Sequence, residues 1–267
     1  MILMIPILYK HSCNDCERDS GLLLAKRLKF DIMTSNEGFP NRNNLVLNWG
    51  VSGSTYNYNF LNSPISVKKA LNKLTTLKIL TEARIPCLEY CENRRDVLEL
   101  LRGTALFARL ELEGSRGRGI KYIKPHTETI PTAKLYTVEF LKDREFRTHV
   151  IFGKIIDITE KIPSSSNPNS IRVRTLKNGW IYKREESTIP LNIGSLGLRA
   201  VRALDLEFGA VDILYNSESK EAVVCEVNTA PGIVGLTLRK YVQAFKDFLD
   251  LDTTEDELTF FNHNIYI

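Results

Sequence analysis

The stretch AVVCEVNTAPGIVG, residues 222–235, begins as an apolar β-strand and ends in residues typical of a turn. Glu226 and Asn228 interrupt its valines two positions apart, and side chains with that spacing in a strand point to the same face. Val224 and Val227 supply the apolar surroundings. The stretch therefore predicts a strand whose polar face carries a carboxylate and an amide.

A second carboxylate is predicted to face Glu226 across a hairpin. Asp212 interrupts the preceding apolar strand, and it and Glu226 each lie seven residues from Ser219, the centre of the turn NSESKE. In an antiparallel hairpin the two would be cross-strand neighbours, and adjacent carboxylates repel unless a cation lies between them. Such hard oxygen ligands suit Mg²⁺ shared with substrate phosphates better than zinc. The alternative is a pair of exposed carboxylates, each balanced by a nearby lysine or arginine.

The glycine-bearing stretch EGSRGRG, residues 113–119, is a candidate phosphate-binding loop. Gly114, Gly117 and Gly119 leave the backbone free to approach a phosphate, and successive N–H groups there can form an anion nest. The stretch has neither the GK[ST] of a Walker A motif nor the GxGxxG order of dinucleotide-binding proteins. A surface hairpin tip is the alternative interpretation of the same glycines.

The rest of the chain alternates helical and strand patterns, which predicts an α/β fold. Helices are expected at residues 20–30, 66–86, 94–103, 194–206 and 236–251. Strands are expected at residues 2–9, 44–50, 105–112, 135–141, 145–161, 171–183, 207–216 and 220–228. Ser66 is a candidate cap for the second helix, Phe152 and Gly153 predict a tight turn, and the polar stretch that ends at Pro64 predicts a connector. Leu238, Val242, Phe245 and Leu249 predict one apolar face of the last helix.

Length and composition predict an ordered globular protein. The chain has 267 residues, of which 43% are hydrophobic, and this is enough for one large domain or about two to three small ones. The opening MILMIPILYK is too short to span a bilayer and no basic segment precedes it, and no other run approaches about 18 apolar residues. We expect a soluble, cytoplasmic protein with no membrane partner.

Cysteine usage and charge narrow the function classes further. The five cysteines, an odd number, do not make the disulfide framework of a small secreted protein. Cys13 and Cys16 form a CxxC that fits a redox pair or half of a zinc site, with a solvent-facing loop as the alternative. The net charge is +4, with basic residues concentrated at 109–124 and 171–184. These clusters are suited to binding phosphate or another anion, and the alternative is that they are ordinary solvated strand faces. No nucleic-acid partner is expected, because aromatic residues that could stack on bases are not interleaved with the basic ones.

The order of the sequence blocks resembles the ATP-grasp family. The blocks are NKLTTLKILTEARIP, FARLELEGSRGRGI, VEFL, REFRTHVIFGKIIDITEK, IRVRTLKNGW, and FGAVDILY followed by VVCEVNTAPGI. The resemblance spans about residues 66–235 and is closest to the carboxylate-amine ligases that include glutathione synthetase-like and peptide-modifying glutamate ligases. It implies two α+β subdomains that grip ATP, at residues 65–137 and 138–267, preceded by a short Rossmann-like α/β region at residues 1–64.

The resemblance also implies a role for each site residue. Mg²⁺, for which Mn²⁺ can substitute, is implied to bind Asp212, Glu226 and Asn228. The ATP phosphates are implied to contact Lys73, Arg109, Gly114, Ser115, Gly117 and Gly119. The adenine is implied to lie against Glu139, Phe140 and Leu141. The transferred phosphoryl group and the acyl phosphate are implied to be neutralised by Arg147, Lys161 and Arg172.

Three positions depart from the family pattern. Arg109 stands where a phosphate-binding lysine followed by proline is usual, and Leu110 replaces that proline. An arginine can still bind phosphate, through a fixed fork instead of a mobile point charge. Arg174 stands where relatives often have asparagine.

The implied function is ATP-dependent ligation of a carboxylate to an amine through an acyl phosphate, on small-molecule or peptide substrates. The chemistry needs charge stabilisation on the phosphoryl oxygens and no nucleophilic serine or cysteine. The glycine-bearing loop would close as a lid that excludes water. The alternatives are a kinase on the same fold, which phosphorylates a hydroxyl, and a catalytically degenerate nucleotide-binding module.

Overall fold

The computed structural model describes residues 7–11, 19–34, 45–53, 59–113, 119–165, 168, 170, 172–184 and 188–251. They form three β-sheets, one parallel and two antiparallel, with helices packed against them. This confirms the predicted α/β class. No helix among these residues is long and apolar enough to cross a membrane.

The first sheet is parallel, with the strand order β2-β1-β3-β4. Its strands are β1 Ile7–Lys10, β2 Asp31–Thr34, β3 Leu45–Trp49 and β4 Asn59–Leu61. Helix α1, Ser20–Leu28, connects β1 to β2, and the Asp19 side chain caps it by accepting from two backbone N–H groups. The predicted helix 20–30 and strand 44–50 are confirmed, and β1 is the described part of the predicted strand 2–9. Strands β2 and β4 were not predicted, and β4 lies inside the predicted connector.

Two helices follow where the sequence predicted one. They are α2, Pro64–Leu71, and α3, Lys73–Glu82. Asn72 leaves helical geometry between them (φ −85°, ψ 106°), and its side chain caps α3 by accepting from the N–H of Thr75 at 3.0 Å. The prediction that Ser66 caps the helix is wrong, because Ser63 Oγ accepts from the N–H of Ser66. The break makes Lys73 the first residue of α3.

The second sheet is antiparallel, in the order β5-β8-β6-β7. Its strands are β5 Tyr90–Cys91, β6 Leu106–Arg109, β7 Ile120–Ile123 and β8 Leu135–Val138. Helix α4, Arg94–Leu100, packs on it through Val97. The Leu110 N–H donates to the Gly119 carbonyl at 2.8 Å, which closes the base of the connection between β6 and β7. The predicted loop residues 114–118 lie outside the described residues.

The third sheet is antiparallel and is the largest, in the order β11-β10-β9-β12-β13. Its strands are β9 Arg144–Ile151, β10 Lys154–Pro163, β11 Trp180–Lys183, β12 Phe208–Asn216 and β13 Glu221–Asn228. The predicted turn between β9 and β10 is confirmed, with positive φ angles at Phe152 (46°) and Gly153 (72°). The predicted strand 171–183 is correct only for β11, because residues 176–178 form a 3₁₀ turn.

The two faces of this sheet differ. Helix α5, Leu191–Ala203, covers one face, where Val150 and Val211 join an apolar cluster. Helix α6, Gly235–Leu249, and the first sheet cover one end of the other face, where Trp49 and Phe208 pack with Phe245. All four residues predicted to form the apolar face of α6 belong to this second cluster. The middle of this second face holds polar side chains, which build the candidate site.

Candidate active site

The hairpin of β12 and β13 has the predicted register. Asp212 pairs with Glu226, and Ala210 pairs with Asn228, so the three polar side chains share one face of the sheet. The ladder shifts by one residue between these pairs and the pair of Ile213 with Val224, which leaves Cys225 as the extra residue of a β-bulge. The predicted cross-strand pairing of Asp212 with Glu226 is confirmed.

Asp212 is buried, and its carboxylate accepts hydrogen bonds from two cationic side chains. Its side chain is 4% exposed. Arg147 Nε donates to Oδ1 at 2.6 Å and Nη2 donates to Oδ2 at 2.8 Å, a bidentate pair across neighbouring strands. Lys161 Nζ donates to Oδ2 at 3.2 Å. The structure therefore brings together Arg147, Lys161 and Asp212, three residues that the sequence analysis assigned to the site.

The network extends to residues that the sequence analysis did not assign. Glu145, two residues before Arg147 on β9, accepts from Lys161 Nζ at 2.5 Å and from Lys142 Nζ. The Tyr182 ring lies 4.7 Å from the Arg147 guanidinium carbon and 5.6 Å from Lys161 Nζ. Glu145 thus binds Lys161 through a charged hydrogen bond, and the Tyr182 ring on β11 contacts both cations.

The charges in this network stabilise one another. Burial would raise the pKa of Asp212, but Arg147 and Lys161 hold it well below its usual range. Burial would lower the pKa of Lys161, but Asp212 and Glu145 together raise it above its usual value. Asp212 and Lys161 are therefore both ionised at neutral pH, and each stabilises the charge of the other.

A cavity of about 340 Å³ lies beside this network. Its walls come from four parts of the chain: the ends of β1 and β3, the helices on either side of the break between α2 and α3, Glu113 at the start of the glycine-bearing stretch, and the end of β13 with the turn that follows it. Lys73, Glu226, Asn228, Thr229, His11 and Gly50 are among the lining residues. Burial lowers the pKa of Lys73 despite the opposing effect of Glu226. The structure therefore places Lys73 with two of the three predicted metal ligands.

Two buried polar atoms near this cavity have no hydrogen-bond partner in the part of the chain that the structure describes. They are Arg109 Nε, on β6, and Thr229 Oγ1, in the cavity wall. The charge of Arg109 depresses the pKa of Lys73, which indicates that the two cations are near one another. A buried donor without a partner costs free energy, so these atoms mark a place where a ligand would be favourable.

Helix α1 and the residue after β3 contact the turn that follows β13. Ser20 Oγ donates to the carbonyl of Pro231 at 2.9 Å. Gly50 adopts a φ of +83°, and a Cβ at this position would lie 2.7 Å from the Cβ of Ala230. The carboxyl edge of the parallel sheet therefore closes on the cavity, and the carboxyl edge is where open α/β sheets bind ligands.

The predicted adenine residues lie where the second sheet joins the third. The Glu139 carboxylate accepts from Tyr122 Oη at 2.9 Å and from Arg172 Nε at 2.9 Å. Phe140 packs in an apolar cluster shared by both sheets, and Leu141 is exposed. Arg172 is half exposed and lies over the Tyr122 ring at 4.4 Å. The structure therefore places Arg172 at this junction, away from the contacts that join Arg147 to Lys161.

Comparison with solved structures identifies the fold. No family model matches the sequence, and no curated protein is significantly similar to it. D-alanine–D-alanine ligase from Bacillus anthracis is 17% identical with a TM-score of 0.66, over 92% of this chain and 95% of that one. The ATP-grasp ligase PsnB bound to a minimal precursor is 13% identical with a TM-score of 0.66, over 92% and 99%. The chain has the ATP-grasp fold.

A third solved structure with this ATP-grasp architecture contains the nucleotide. Carboxyaminoimidazole ribonucleotide synthase from Aspergillus clavatus, in complex with ATP, is 14% identical with a TM-score of 0.66, over 94% of this chain and 78% of that one. The B. anthracis ligase was also solved with ATP, with the same identity and coverage. The resemblance inferred from the sequence blocks is therefore confirmed at the level of the fold.

The donor set of this ATP-grasp chain fits a divalent cation only in part. Glu226 and Asn228 line the cavity and offer the hard oxygen atoms that Mg²⁺ prefers. Asp212 does not line it, and both of its oxygens accept hydrogen bonds from Arg147 or Lys161. Within the described ranges, no three residues among His, Cys, Asp and Glu form a metal-binding group. In this arrangement the expected three-residue metal site is incomplete.

Some predicted site residues lie outside the described residues, and some residues that the structure brings to the site were not predicted. Gly114, Ser115 and Gly117 lie outside the described residues, as do Cys13 and Cys16. Gly119 is described, with a φ of +67°. Glu145 was missed although its spacing from Arg147 signals a shared strand face. His11 carried no such signal, because only the packing of the first sheet brings it to the cavity.

Proposed function

We propose that this protein is an ATP-dependent ligase that joins a carboxylate to an amine through an acyl phosphate. The observation that supports this most is the cavity in which Lys73, Glu226 and Asn228 meet the carboxyl edge of the first sheet. The wall with Lys73, Glu226 and Asn228 has the side chains that bind phosphate and a divalent cation. The opposite wall, formed by the first sheet, would bind the second substrate. A reaction between ATP and a separate substrate requires this combination.

The nucleotide would lie between the second and third sheets. Lys73 and Arg109 are two cations close together at the phosphate end. Arg109 Nε, which has no partner among the described residues, is a donor available to a phosphate oxygen. At the other end, the backbone of residues 139–141 would receive the adenine. The Glu139 N–H already donates to the carbonyl of Ala105 at 2.8 Å, which fixes this segment against the second sheet.

The buried cations would stabilise the reacting groups. A carboxylate is a poor electrophile, so ATP first converts it to an acyl phosphate, and an amine then attacks and expels phosphate. Negative charge develops on the phosphoryl oxygens, and Arg147 and Lys161 are the buried cations proposed to stabilise it. Cys225 lines the cavity, but burial raises the pKa of its thiol to about 11, so it is protonated at neutral pH and unsuited to nucleophilic attack.

A bound Mg²⁺ would supply charge neutralisation on the ATP phosphates, and Glu226 and Asn228 are the residues placed to hold it. The first sheet would contribute the substrate end, where His11 and Gly50 line the cavity and Thr229 Oγ1 has no partner among the described residues. The amine and acid are accordingly expected to bind between the first sheet and the turn after β13.

Trapping of the intermediate tests the reaction class. The protein is incubated with Mg²⁺–ATP, hydroxylamine and a panel of carboxylic acids, and hydroxamate, ADP and phosphate are quantified. A ligase gives hydroxamate together with ADP, since a strong amine intercepts an acyl phosphate. A stable phosphate ester without hydroxamate would indicate the kinase alternative, and no ADP with any acid would indicate a nucleotide-binding module.

Two substitutions test the assigned residues. Lys73→Met should weaken ATP binding by about 10- to 100-fold, the usual range for one charged hydrogen bond. The matched control is Lys69→Met, whose lysine pairs with Asp205 on the surface at 2.9 Å and should leave ATP affinity unchanged. Glu226→Ala should keep the fold and abolish turnover. Full turnover in Glu226→Ala with a confirmed acceptor would show that the metal assignment is wrong.

A further inference from the structure

His11 and Thr229 are polar residues that line the cavity where it meets the first sheet. His11 directly follows β1, and Thr229 directly follows β13. Thr229 is 2% exposed, and its Oγ1 has no hydrogen-bond partner within the part of the chain that the structure describes. Because a buried hydroxyl without a partner costs free energy, a bound polar group would be favourable here. The two residues therefore indicate a subsite for a polar ligand.

The packing of the first sheet brings His11 towards Thr229. Strands β1 and β3 are paired neighbours, and the first residues after them are His11 and Gly50. A Cβ on Gly50 would lie 2.7 Å from the Cβ of Ala230, the residue that follows Thr229. Because neighbouring strands lie about 5 Å apart, a small ligand in the cavity can contact both His11 and Thr229.

The main chain at His11 is anchored by a buried ion pair. Lys10 Nζ donates to the His11 carbonyl at 2.9 Å and lies 2.6 Å from Asp19 Oδ2. Asp19 also caps α1, and the first residue of that helix donates to the turn that follows β13. The position of His11 relative to Thr229 is therefore set by the same contacts that hold this turn.

The charged groups next to His11 have partners of their own. The side chains of Lys10 and Asp19 are 9% and 11% exposed and bind each other. Asp19 Oδ1 accepts from the N–H groups of Gly21 and Leu22 at 2.9 and 3.1 Å. Neither Lys10 nor Asp19 is therefore placed to exchange a proton with a ligand in the cavity.

The other titratable lining residues lie away from the first sheet. Lys73 begins α3, Glu113 begins the glycine-bearing stretch, and Glu226 lies on β13. Burial raises the pKa of the Cys225 thiol to about 11, so this thiol is protonated at neutral pH. Among the described residues, His11 is thus the titratable side chain that the first sheet supplies to the cavity.

We propose that His11 is the general base for the acceptor amine, which binds in its ammonium form between His11 and Thr229. Thr229 Oγ1 accepts one N–H of the ammonium group. An imidazole nitrogen of His11 takes up another of its protons, because imidazole exchanges protons readily near neutral pH. This inference rests on the proposed function, because the deprotonated amine attacks the acyl phosphate.

The proton transfer makes the amine a nucleophile. An ammonium nitrogen has no lone pair, and loss of one proton to His11 supplies it. The lone pair then forms a C–N bond to the acyl carbon, and the C–O bond to phosphate breaks with its electron pair. The phosphate takes the second proton that the nitrogen loses, and His11 returns its proton to water.

Two nucleophiles of similar size separate the base from the rest of the reaction. Hydroxylamine is largely unprotonated at neutral pH and needs no base, whereas ammonia is almost entirely ammonium. The protein is incubated at pH 7 with Mg²⁺–ATP and the carboxylic acid that gives the most hydroxamate. Hydroxamate from hydroxylamine and amide from ammonium chloride are quantified by mass spectrometry for the wild type and for the H11Q, H126Q and T229V variants.

The expected result is a selective loss. His11→Gln should lower amide formation by at least about 100-fold, the scale of general base catalysis, and keep hydroxamate formation within about threefold of the wild type. The retained hydroxamate shows that the variant is folded and activates the acid. His126→Gln is the matched control, because His126 is exposed and lies outside the cavity lining, and both products should stay at wild-type rates.

Thr229→Val tests where the amine binds. This substitution removes the hydroxyl and should raise the KM for ammonium by about tenfold or more, the scale of one hydrogen bond to a charged group. An unchanged KM would place the amine elsewhere and overturn the subsite.

The remaining outcomes separate this inference from the proposed function. Equal losses of hydroxamate and amide in H11Q would show that His11 acts before the amine attacks, which overturns the proposal. Amide formation at the wild-type rate in H11Q would also overturn it, as would a wild type that forms hydroxamate but no amide from ammonium. A wild type that forms no hydroxamate with any acid would refute the proposed function itself, and the role of His11 with it.

Discussion

The free energy of unfolding is expected to fall as the pH drops from 7 to 5, because a buried histidine cannot take up a proton in the folded state. His149 lies on β9, two residues after Arg147, and is 2% exposed. Its Nδ1 is 3.1 Å from the Tyr241 hydroxyl. Burial, and then the charge of Arg147, lowers the pKa of His149 to about 3 from its ordinary 6.5.

The two pKa values give the size of the effect. Between pH 6.5 and 3 the unfolded chain binds a proton at this position that the folded chain does not, so stability is lost as the pH falls. The slope within this window is about 1.4 kcal/mol per pH unit, and integration from pH 7 to pH 5 gives a loss of about 2 kcal/mol. Asp157, whose pKa is lowered to about 2, contributes only below its ordinary value of 3.8.

Urea unfolding followed by tryptophan fluorescence at pH 7, 6 and 5 measures the effect. His149→Gln should remove most of the pH dependence, whatever it does to the stability at pH 7. His126→Gln is the control, because His126 is exposed and the variant should keep the wild-type slope. A wild-type stability that changes by less than about 0.5 kcal/mol over this range, or an undiminished slope in His149→Gln, would refute the reasoning.

Two further predictions concern packing and buried charge. Gly50→Ala should destabilise the protein by about 1–3 kcal/mol, because the residue has a φ of +83° and its Cβ would lie 2.7 Å from that of Ala230. Thermal unfolding should show Gly53→Ala close to wild type, because a Cβ added there meets no atom of the described residues within 4 Å beyond its chain neighbours. Asp157→Asn should cost about 3–5 kcal/mol, because the buried carboxylate binds a lysine and an arginine at 2.9 and 2.7 Å. The control is Asp205→Asn, which removes one exposed ion pair and should lower the free energy of unfolding by less than about 1 kcal/mol in the same measurement. Equal losses of stability in Asp157→Asn and Asp205→Asn would contradict this interpretation.

The hairpin shows how a sequence prediction can be correct for an incomplete reason. Equal spacing from Ser219 predicted that Asp212 faces Glu226, and the register confirms it. The strands pair from Asn216 with Glu221 onward, however, and a regular ladder would have placed Cys225 opposite Asp212. The bulge at Cys225 restores the predicted pair. An apolar sequence pattern does not reveal a bulge, because the extra residue is itself of a type common in strands. It only shifts which of the following residues face each side of the sheet.

Elements with strong local sequence signals were predicted correctly. A helix break set by a capping residue and a strand at a sheet edge were missed. The tight turn at Phe152 and Gly153 and the apolar face of α6 follow from short-range chemistry and were predicted. The break at Asn72 was missed because the apolar stripe continues across it. Strand β2 was missed because its first two residues are exposed, so it lacks the apolar alternation of a central strand.

Long-range placement was the part that residue patterns alone did not supply. Family resemblance grouped Arg172 with Arg147 and Lys161, whereas the structure pairs Arg172 with Glu139. The role of Arg172 in the reaction stays a prediction, and its Glu139 partner places it beside the expected adenine position. Which cations share a cluster depends on how the segments after β10 return to the sheets, and no spacing rule in the sequence fixes that path.

The polarity of the third sheet is itself an argument for function. One face packs against α5 through apolar residues, which shows that this sheet can be stabilised without buried charge. The other face buries Glu145, Asp212 and Lys161, with Arg147 nearly as covered. Buried ion pairs are often no more stabilising than well-packed apolar side chains, and losing one partner is strongly destabilising. Stability alone therefore does not account for this cluster, whereas a site that must balance a polyphosphate and a divalent cation requires charges held in fixed positions.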